Sequence, residues 1–264
     1  MKIGIMTSLV DEEAAVLITA ILDEIKSGFI PNTSVEFVFT DRAENFENHP
    51  ELLQRLGEEN TPFIHKSSST LRYLIRKSAS NEEIKNEREA LDRHFFQQSQ
   101  SIGAPDIIVQ IGYMLIISPW LCRMATIINL HPDLPRRYKG TWKDIIKRII
   151  ISKDYTAGAM IHLVAPELDS GPLISWFQFS TRGPQYDDFW VDPKRHGWLA
   201  NLIRKEEFQR EPHLLTYTLR FLSLKDIVIQ DRKVYFVRSA RGDYTELFGQ
   251  IHRCNLTKYV EMRI

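Results

Sequence analysis

Glycine is missing from the one loop where a dinucleotide-binding chain would need it. After the first apolar stretch, Lys2 to Met6, the sequence runs Thr7-Ser8-Leu9-Val10-Asp11-Glu12-Glu13. It offers no Gly-x-Gly-x-x-Gly to let the backbone approach a pyrophosphate, which argues against a nicotinamide or flavin enzyme. The serine elbow of a triad hydrolase is also absent. Cysteine is scarce: Cys122 and Cys254 stand far apart, without metal-ligand spacing, and isolated thiols of this kind suit a reducing compartment. Cys122 reads as core. There is no excess charge of either sign, Lys plus Arg equalling Asp plus Glu at 34 each, so no global basic field gathers phosphate backbones and a nucleic-acid partner is not expected. No apolar run is long enough to cross a membrane, and MKIGIMTSL is too short for a secretory signal. The expectation is a soluble cytoplasmic protein with no membrane partner.

What is present is length and periodicity. A chain of 264 residues can bury a sizeable core without disulfide or metal staples. Lys2 to Met6 reads as a strand. Ala14, Val16, Leu17, Ala20, Ile21 and Ile25 then fall at helical spacing, with Ser8 as a candidate cap. Ser34 to Thr40 alternates as a second strand, making a parallel βαβ opening. Short helices are expected over Asn48–Leu56 and Thr70–Arg76, a brief strand at Pro62–Ile64, and a long charged amphipathic helix from Asn81 to Gln100 before the strand Ile107–Ile111. Trp142 to Ile151 reads as a helix from its place between two strands, although its β-branched run also suits a strand. Residues 177–198 carry Phe177, Phe179, Tyr186, Phe189, Trp190 and Trp198 among Gly, Pro and Asp, a long irregular loop that serves either as a substrate lid or as a packing flap. A helix from Pro212 to Leu222 and a hairpin over Ile227–Phe236, turning at Asp231-Arg232, close the pattern.

Polar chemistry concentrates between Ala125 and Pro172. The apolar run Ala125 to Ile128 reads as a buried strand ending at Asn129-Leu130-His131-Pro132, and ligands of open α/β sheets bind outside strand carboxyl ends. Asn129 and His131 are two apart, so an extended chain projects both to one side. A second run, Ala159 to Val164, leads through a loop to Asp169-Ser170-Gly171-Pro172 and delivers a carboxylate. The sequence alone shows an amide, an imidazole and a carboxylate, groups suited to proton transfer and oxyanion donation, brought to strand ends. A zinc site from His131, Asp133, His162 and Asp169 lacks every metalloprotease spacing, so no metal is expected. His162, inside a strand, reads as structural.

Asn129-Leu130-His131-Pro132, Leu134-Pro135 with Gly140, and His162 followed by Asp169-Ser170-Gly171-Pro172 resemble, in order, the motifs of the folate-dependent formyltransferase family, in layout its glycinamide ribonucleotide branch. The resemblance extends to Arg88–Arg93, Asp106–Val109 and Gly112-Tyr113-Met114, and thinly over most of the first two hundred residues. It implies an α/β fold, a mostly parallel open sheet with helices on both faces, Rossmann-like. A catalytic domain over 1–200 would then be followed by a short helix and hairpin extension over 201–264. It implies 10-formyltetrahydrofolate as co-substrate and a small-molecule amine as acceptor, with Asn129, His131 and Asp169 catalytic and Met114, Leu115, Ile116, Val164 and Glu167 against the donor. A homodimer is left open. Formyl-folate hydrolysis, glycinamide ribonucleotide formylation proper and a non-catalytic folate-binding role remain alternatives. The opening loop departs from the family's Gly- and Ser-rich phosphate loop, and Asp11, Glu12 and Glu13 would repel a phosphate.

Overall fold

The computed structural model describes residues 1–237, 244–246 and 254–264. It divides into two compact units, the first formed by Met1–Asn129 with Val164–Leu168, the second by Leu130–Leu163 with Asp169–Ile264.

In the first unit the chain runs β1 (Lys2–Thr7), α1 (Glu12–Lys26), β2 (Ser34–Thr40), α2 (Ala43–Phe46), α3 (Pro50–Glu58), β3 (Phe63–His65), α4 (Ser69–Arg76), α5 (Asn81–Ile102), β4 (Ile107–Gln110), α6 (Pro119–Met124) and into β5 (Ile127–His131). These strands pair in parallel in the order β3-β2-β1-β4-β5. The order reverses between β1 and β4. Right-handed crossovers therefore lay the helices of the two series on opposite faces and open a crevice at the strand carboxyl ends. Near-continuous apolar strands suit a sheet covered on both faces. Ile3, Ile5, Met6, Phe37, Val38 and Phe39 are buried, and the Phe39 and Phe95 rings meet edge to face at 4.7 Å. Helix α1 is capped by Asp11, whose carboxylate accepts from Ala14 N–H, rather than by Ser8, which is buried and committed elsewhere. Ser80 and Glu83 close a reciprocal capping box at the start of α5.

The second unit continues from the end of β5 into α7 (Trp142–Ser152), β6 (Thr156–Leu163), β7 (Leu173–Ser180), α8 (Asp187–Val191), a 3-10 turn (Pro193–Arg195), α9 (His196–Ser223), β8 (Ile227–Gln230), β9 (Lys233–Val237), β10 (Tyr244–Glu246) and α10 (Thr257–Glu261). Strands β6 and β7 are antiparallel and complete a seven-stranded, mostly parallel sheet at one edge. Strands β8 to β10 form a separate three-stranded antiparallel sheet. The outer side of β7 is covered: Asn255 bridges Trp176 in parallel, Leu256 N–H donates to the Trp176 carbonyl at 2.8 Å, and Thr257 Oγ1 accepts from Gln178 N–H at 3.1 Å.

Several expectations change here. The residues expected to lie beyond the strand end, Asn129 and His131, are its last positions, so β5 itself aims them. The helix expected to begin at Pro212 begins at His196, and the expected boundary near residue 200 falls inside it; the extension is a 28-residue helix, not a short one. Pro212 removes one backbone bond, but Leu199, Ile203, Leu214, Leu215 and Leu219 are all fully buried, and that packing outweighs the break. The aromatic stretch is not an irregular lid. Phe177 and Tyr186 are buried, and Phe189 and Trp190 pack with Ile145, Ile146, Ile149 and Ile150 of α7 against Leu199 and Ile203.

Helix α9 also buries Arg204, Glu207 and Glu211 together. Arg204 Nη1 lies 2.9 Å from Glu207 Oε2 and 2.7 Å from Glu211 Oε1. One guanidinium serves two carboxylates, and Glu207 Oε1 has no hydrogen-bond partner. Burial first, then repulsion from Glu211, pushes Glu207 well above the usual carboxylate range, with Arg204 opposing. A carboxyl that stays protonated when folded but ionises when unfolded loses stability as pH rises through the ordinary Glu range. Glu207→Gln should therefore melt progressively higher than the parent chain as pH rises from about 5 to about 9, and match it at acid pH. A pH-independent difference in thermal melts would refute this account.

Candidate active site

The site is built on the end of β5, the end of β6 and the loop after β6, all in the second unit for the groups that follow. Ordinary strand alternation turns His131 inward, where it is 2% exposed. His162 is equally buried at the next-to-last position of β6, and the β6–β7 register shifts between Ile161 and His162. Such an irregularity re-aims a side chain. Leu163 N–H donates to the Pro172 carbonyl at 2.9 Å, closing the base of the loop that carries Asp169. Asp169 itself has φ 49°, a left-handed conformation that Asp tolerates better than most residues, and its side chain is 8% exposed.

The three side chains meet. Asp169 Oδ2 is 3.6 Å from His131 Nδ1, and Oδ1 is 3.7 Å from His162 Nε2. Gly140 N–H points at Oδ2 from 3.4 Å. The other nitrogen of each ring is engaged with main chain: His131 Nε2 lies 2.9 Å from the Tyr138 carbonyl and His162 Nδ1 lies 3.1 Å from its neighbour's, that of Leu163. A carbonyl oxygen only accepts, so both of those nitrogens are the protonated ones. In neutral rings, lone pairs of Nδ1 of His131 and Nε2 of His162 then face a carboxylate. The gaps of 3.6 and 3.7 Å between carboxylate and rings are too long for direct hydrogen bonds and leave room for a proton or a donor N–H or O–H to bridge them.

Burial, and then the neighbouring His131, lower the pKa of His162, against raising effects of the Leu163 carbonyl and Asp169. The charged form is thus disfavoured in the folded chain, and its contribution to stability is lost as pH falls through the unfolded His value. The sequence reads His162 as structural; the structure places its ring beside Asp169, at a register shift that only the strand pairing shows.

The remaining predicted residues are placed as follows. Asn129 is half-buried on β5, two residues before His131. Met114 and Ile116 are 47% and 45% exposed on the loop after β4, with Leu115 half-buried, an apolar loop turned by Gly112 at φ 58°. Such a surface suits a flat, weakly polar ring system. Glu167 is exposed. Val164 is not pocket lining through its side chain, which packs in the first unit's core beside Ile108 and Ile127. Among the described residues no group of His, Cys, Asp or Glu has the arrangement to hold a metal ion.

The formyl transferase family profile matches residues 14–179. The chain belongs to the formyl transferase family. Phosphoribosylglycinamide formyltransferase of Escherichia coli K12 is 34% identical over 89 residues, 33% of this chain and 41% of that one. The Saccharomyces cerevisiae protein of the same name is 37% identical over 81 residues, 26% of this chain and 36% of that one. The chain thus aligns with about two fifths of the length of those relatives or less. Among solved structures, glycinamide ribonucleotide transformylase 1 from Symbiobacterium toebii superposes with a TM-score of 0.67 at 20% identity, covering 90% of this chain and 94% of that one, which establishes a shared fold.

The opposed effects on His162 make a test. Asp169→Asn removes one of the two raising contributions, so His162 should titrate at still lower pH than in the parent chain, both below the ordinary His value. Carbon-resolved NMR titration of the ring protons checks this; an upward shift in the variant contradicts the arrangement described.

Proposed function

We propose that this formyl transferase moves the formyl group of 10-formyltetrahydrofolate to a primary amine that carries no phosphate near the opening loop. The donor supplies an activated formyl carbon when bound. The observation that carries the reading is Asp169 held between two imidazole nitrogens whose partner nitrogens are engaged with main chain. An amine entering among those acceptors gives up an N–H as its nitrogen attacks the formyl carbon. The bond between that carbon and the folate nitrogen breaks, and the proton passes through Asp169 and His131 to the departing nitrogen. The Asn129 amide donates to the oxyanion developing on the formyl oxygen, a contribution commonly worth a hundred- to a thousandfold in rate. Met114, Leu115 and Ile116 supply an apolar face for the donor's ring, with Glu167 and the main chain at Val164 as further contacts.

The first unit supports a non-phosphate acceptor. The Asp11 carboxylate occupies the N-terminus of α1 by accepting from Ala14 N–H, and Glu12 and Glu13 fill the first helical turn. The Ser8 hydroxyl, another natural anion donor, gives its proton to buried Asp41 at 2.5 Å while accepting from Met114 N–H at 2.9 Å. Asp41 also takes the Ser68 hydroxyl and draws Arg72 to 3.4 Å. The Ser8 and Ser68 hydroxyls and Arg72 are therefore engaged with a carboxylate of the chain itself. At an effective dielectric near 20, one carboxylate within about 15 Å of a phosphate charge costs more than about 1 kcal/mol. A neutral or cationic amine, such as an amino sugar, meets no such penalty.

Steady-state assay by folate absorbance tests both halves. With a panel of amines, His131→Ala and Asp169→Asn should lower kcat by about a hundred- to ten-thousandfold while circular dichroism and donor binding stay near those of the parent chain. Glycinamide ribonucleotide should give kcat/KM below about ten thousand per molar per second. Parent-like turnover in either variant refutes the catalytic assignment, and an efficient glycinamide ribonucleotide reaction refutes the reading of the loop. Formate release without any amine would make the chain a hydrolase.

A further inference from the structure

The turn after β5 contains a buried carboxylate that the chemistry above does not use. Asp133 is fully buried. Its Oδ1 accepts from Arg137 Nε at 2.7 Å and from Nη2 of the same guanidinium, and its Oδ2 accepts from the Tyr138 backbone N–H at 2.7 Å. Asp133 N–H donates back to the His131 carbonyl at 2.9 Å, so the carboxylate is anchored to the strand end it serves. The far side of the turn is tied down as well: Arg137 Nη1 donates to the Thr156 carbonyl at 2.8 Å, and the Tyr138 hydroxyl donates to Asp154 at 2.7 Å. Arg136, at φ 63°, makes the left-handed step that brings 137 and 138 back over Asp133.

The consequence falls on His131. The residue whose N–H Asp133 fixes is the one whose carbonyl accepts from His131 Nε2. Which ring nitrogen of a neutral histidine keeps its proton is set by the hydrogen bond the other side makes. If the Tyr138 carbonyl left its place, the proton would be free to move to Nδ1, where Asp169 would accept it, and the lone pair would turn away from the reacting groups. We propose that Asp133, through its grip on Arg137 and the Tyr138 N–H, is a positioning residue that fixes the tautomer of His131 and so keeps Nδ1 a bare acceptor toward Asp169. The inference rests on the proposed catalytic role of His131 for its kinetic consequence but not for its structural one.

Nitrogen NMR of histidine-labelled full-length protein, with His131 assigned by loss of its signals in His131→Ala, separates protonated from bare ring nitrogens. The parent chain should show neutral His131 protonated at Nε2. Asp133→Ala should convert it to a mixture or to the Nδ1 form, and kcat for formyl transfer should fall about ten- to a hundredfold with the KM for donor changed less than about twofold. Should Asp133→Ala not fold, Arg137→Gln, whose side chain reaches the surface, carries the test and should move the tautomer ratio in the same direction. An Nδ1 proton in the parent chain, or ring signals unaltered in the folded variants, overturns the inference. Absence of formyl transfer in the parent chain instead overturns the proposed function and leaves the NMR result standing.

Discussion

The Asp169 carboxylate, set between two buried imidazole rings, is the group around which the second unit is arranged. Main-chain carbonyls take the N–H of each ring, at Tyr138 for His131 and at Leu163 for His162, so neither histidine can satisfy Asp169 without gaining charge. Burial keeps water from screening these groups and disfavours the charged form of His162. The strand ends, the register shift at His162 and the left-handed Asp169 are the means by which the backbone holds these groups near one another without letting them pair directly.

The same chemistry resolves differently in the first unit. Asp41, as buried as Asp133, is surrounded by donors: Ser8, Ser68 and Arg72 leave it satisfied. One buried acid is met by hydroxyls and a guanidinium, another by a guanidinium and a turn N–H, a third by one main-chain N–H between two imidazoles. The difference lies in what the neighbouring backbone has already used.

Much of this was legible in the residues. Ser34–Thr40 is β2 as read, and four of the five isoleucines of α7, Ile145, Ile146, Ile149 and Ile150, fall on one buried helical face once the flanking strands assign it to a helix. Asn129, His131 and Asp169 stood out because polar residues interrupted apolar runs at strand ends. Other features were hidden for physical reasons. Pro212 suggested a helix start because local propensity knows nothing of the buried leucines on either side that hold the helix through it. The aromatic run looked like a loop because Gly183, Pro184 and Pro193 punctuate it, while Tyr186 is core and Phe179, Phe189 and Trp190 pack against that core. His162 could not be distinguished from packing, since its direction depends on pairing between strands, and the link from Asp133 to His131 passes through a backbone carbonyl that no side-chain pattern encodes.

The cover over β7 bears on how this protein meets other copies of itself. An edge strand offers a row of unused main-chain groups to any extended segment in solution. Asn255, Leu256 and Thr257 occupy the Trp176 and Gln178 positions of that row, and they are pinned from outside by Arg210 on Glu261 and by Tyr259 against Tyr217 and Phe221. The enclosing segment thus acts as a built-in competitor for strand pairing, taking main-chain sites on β7 that an added strand would use.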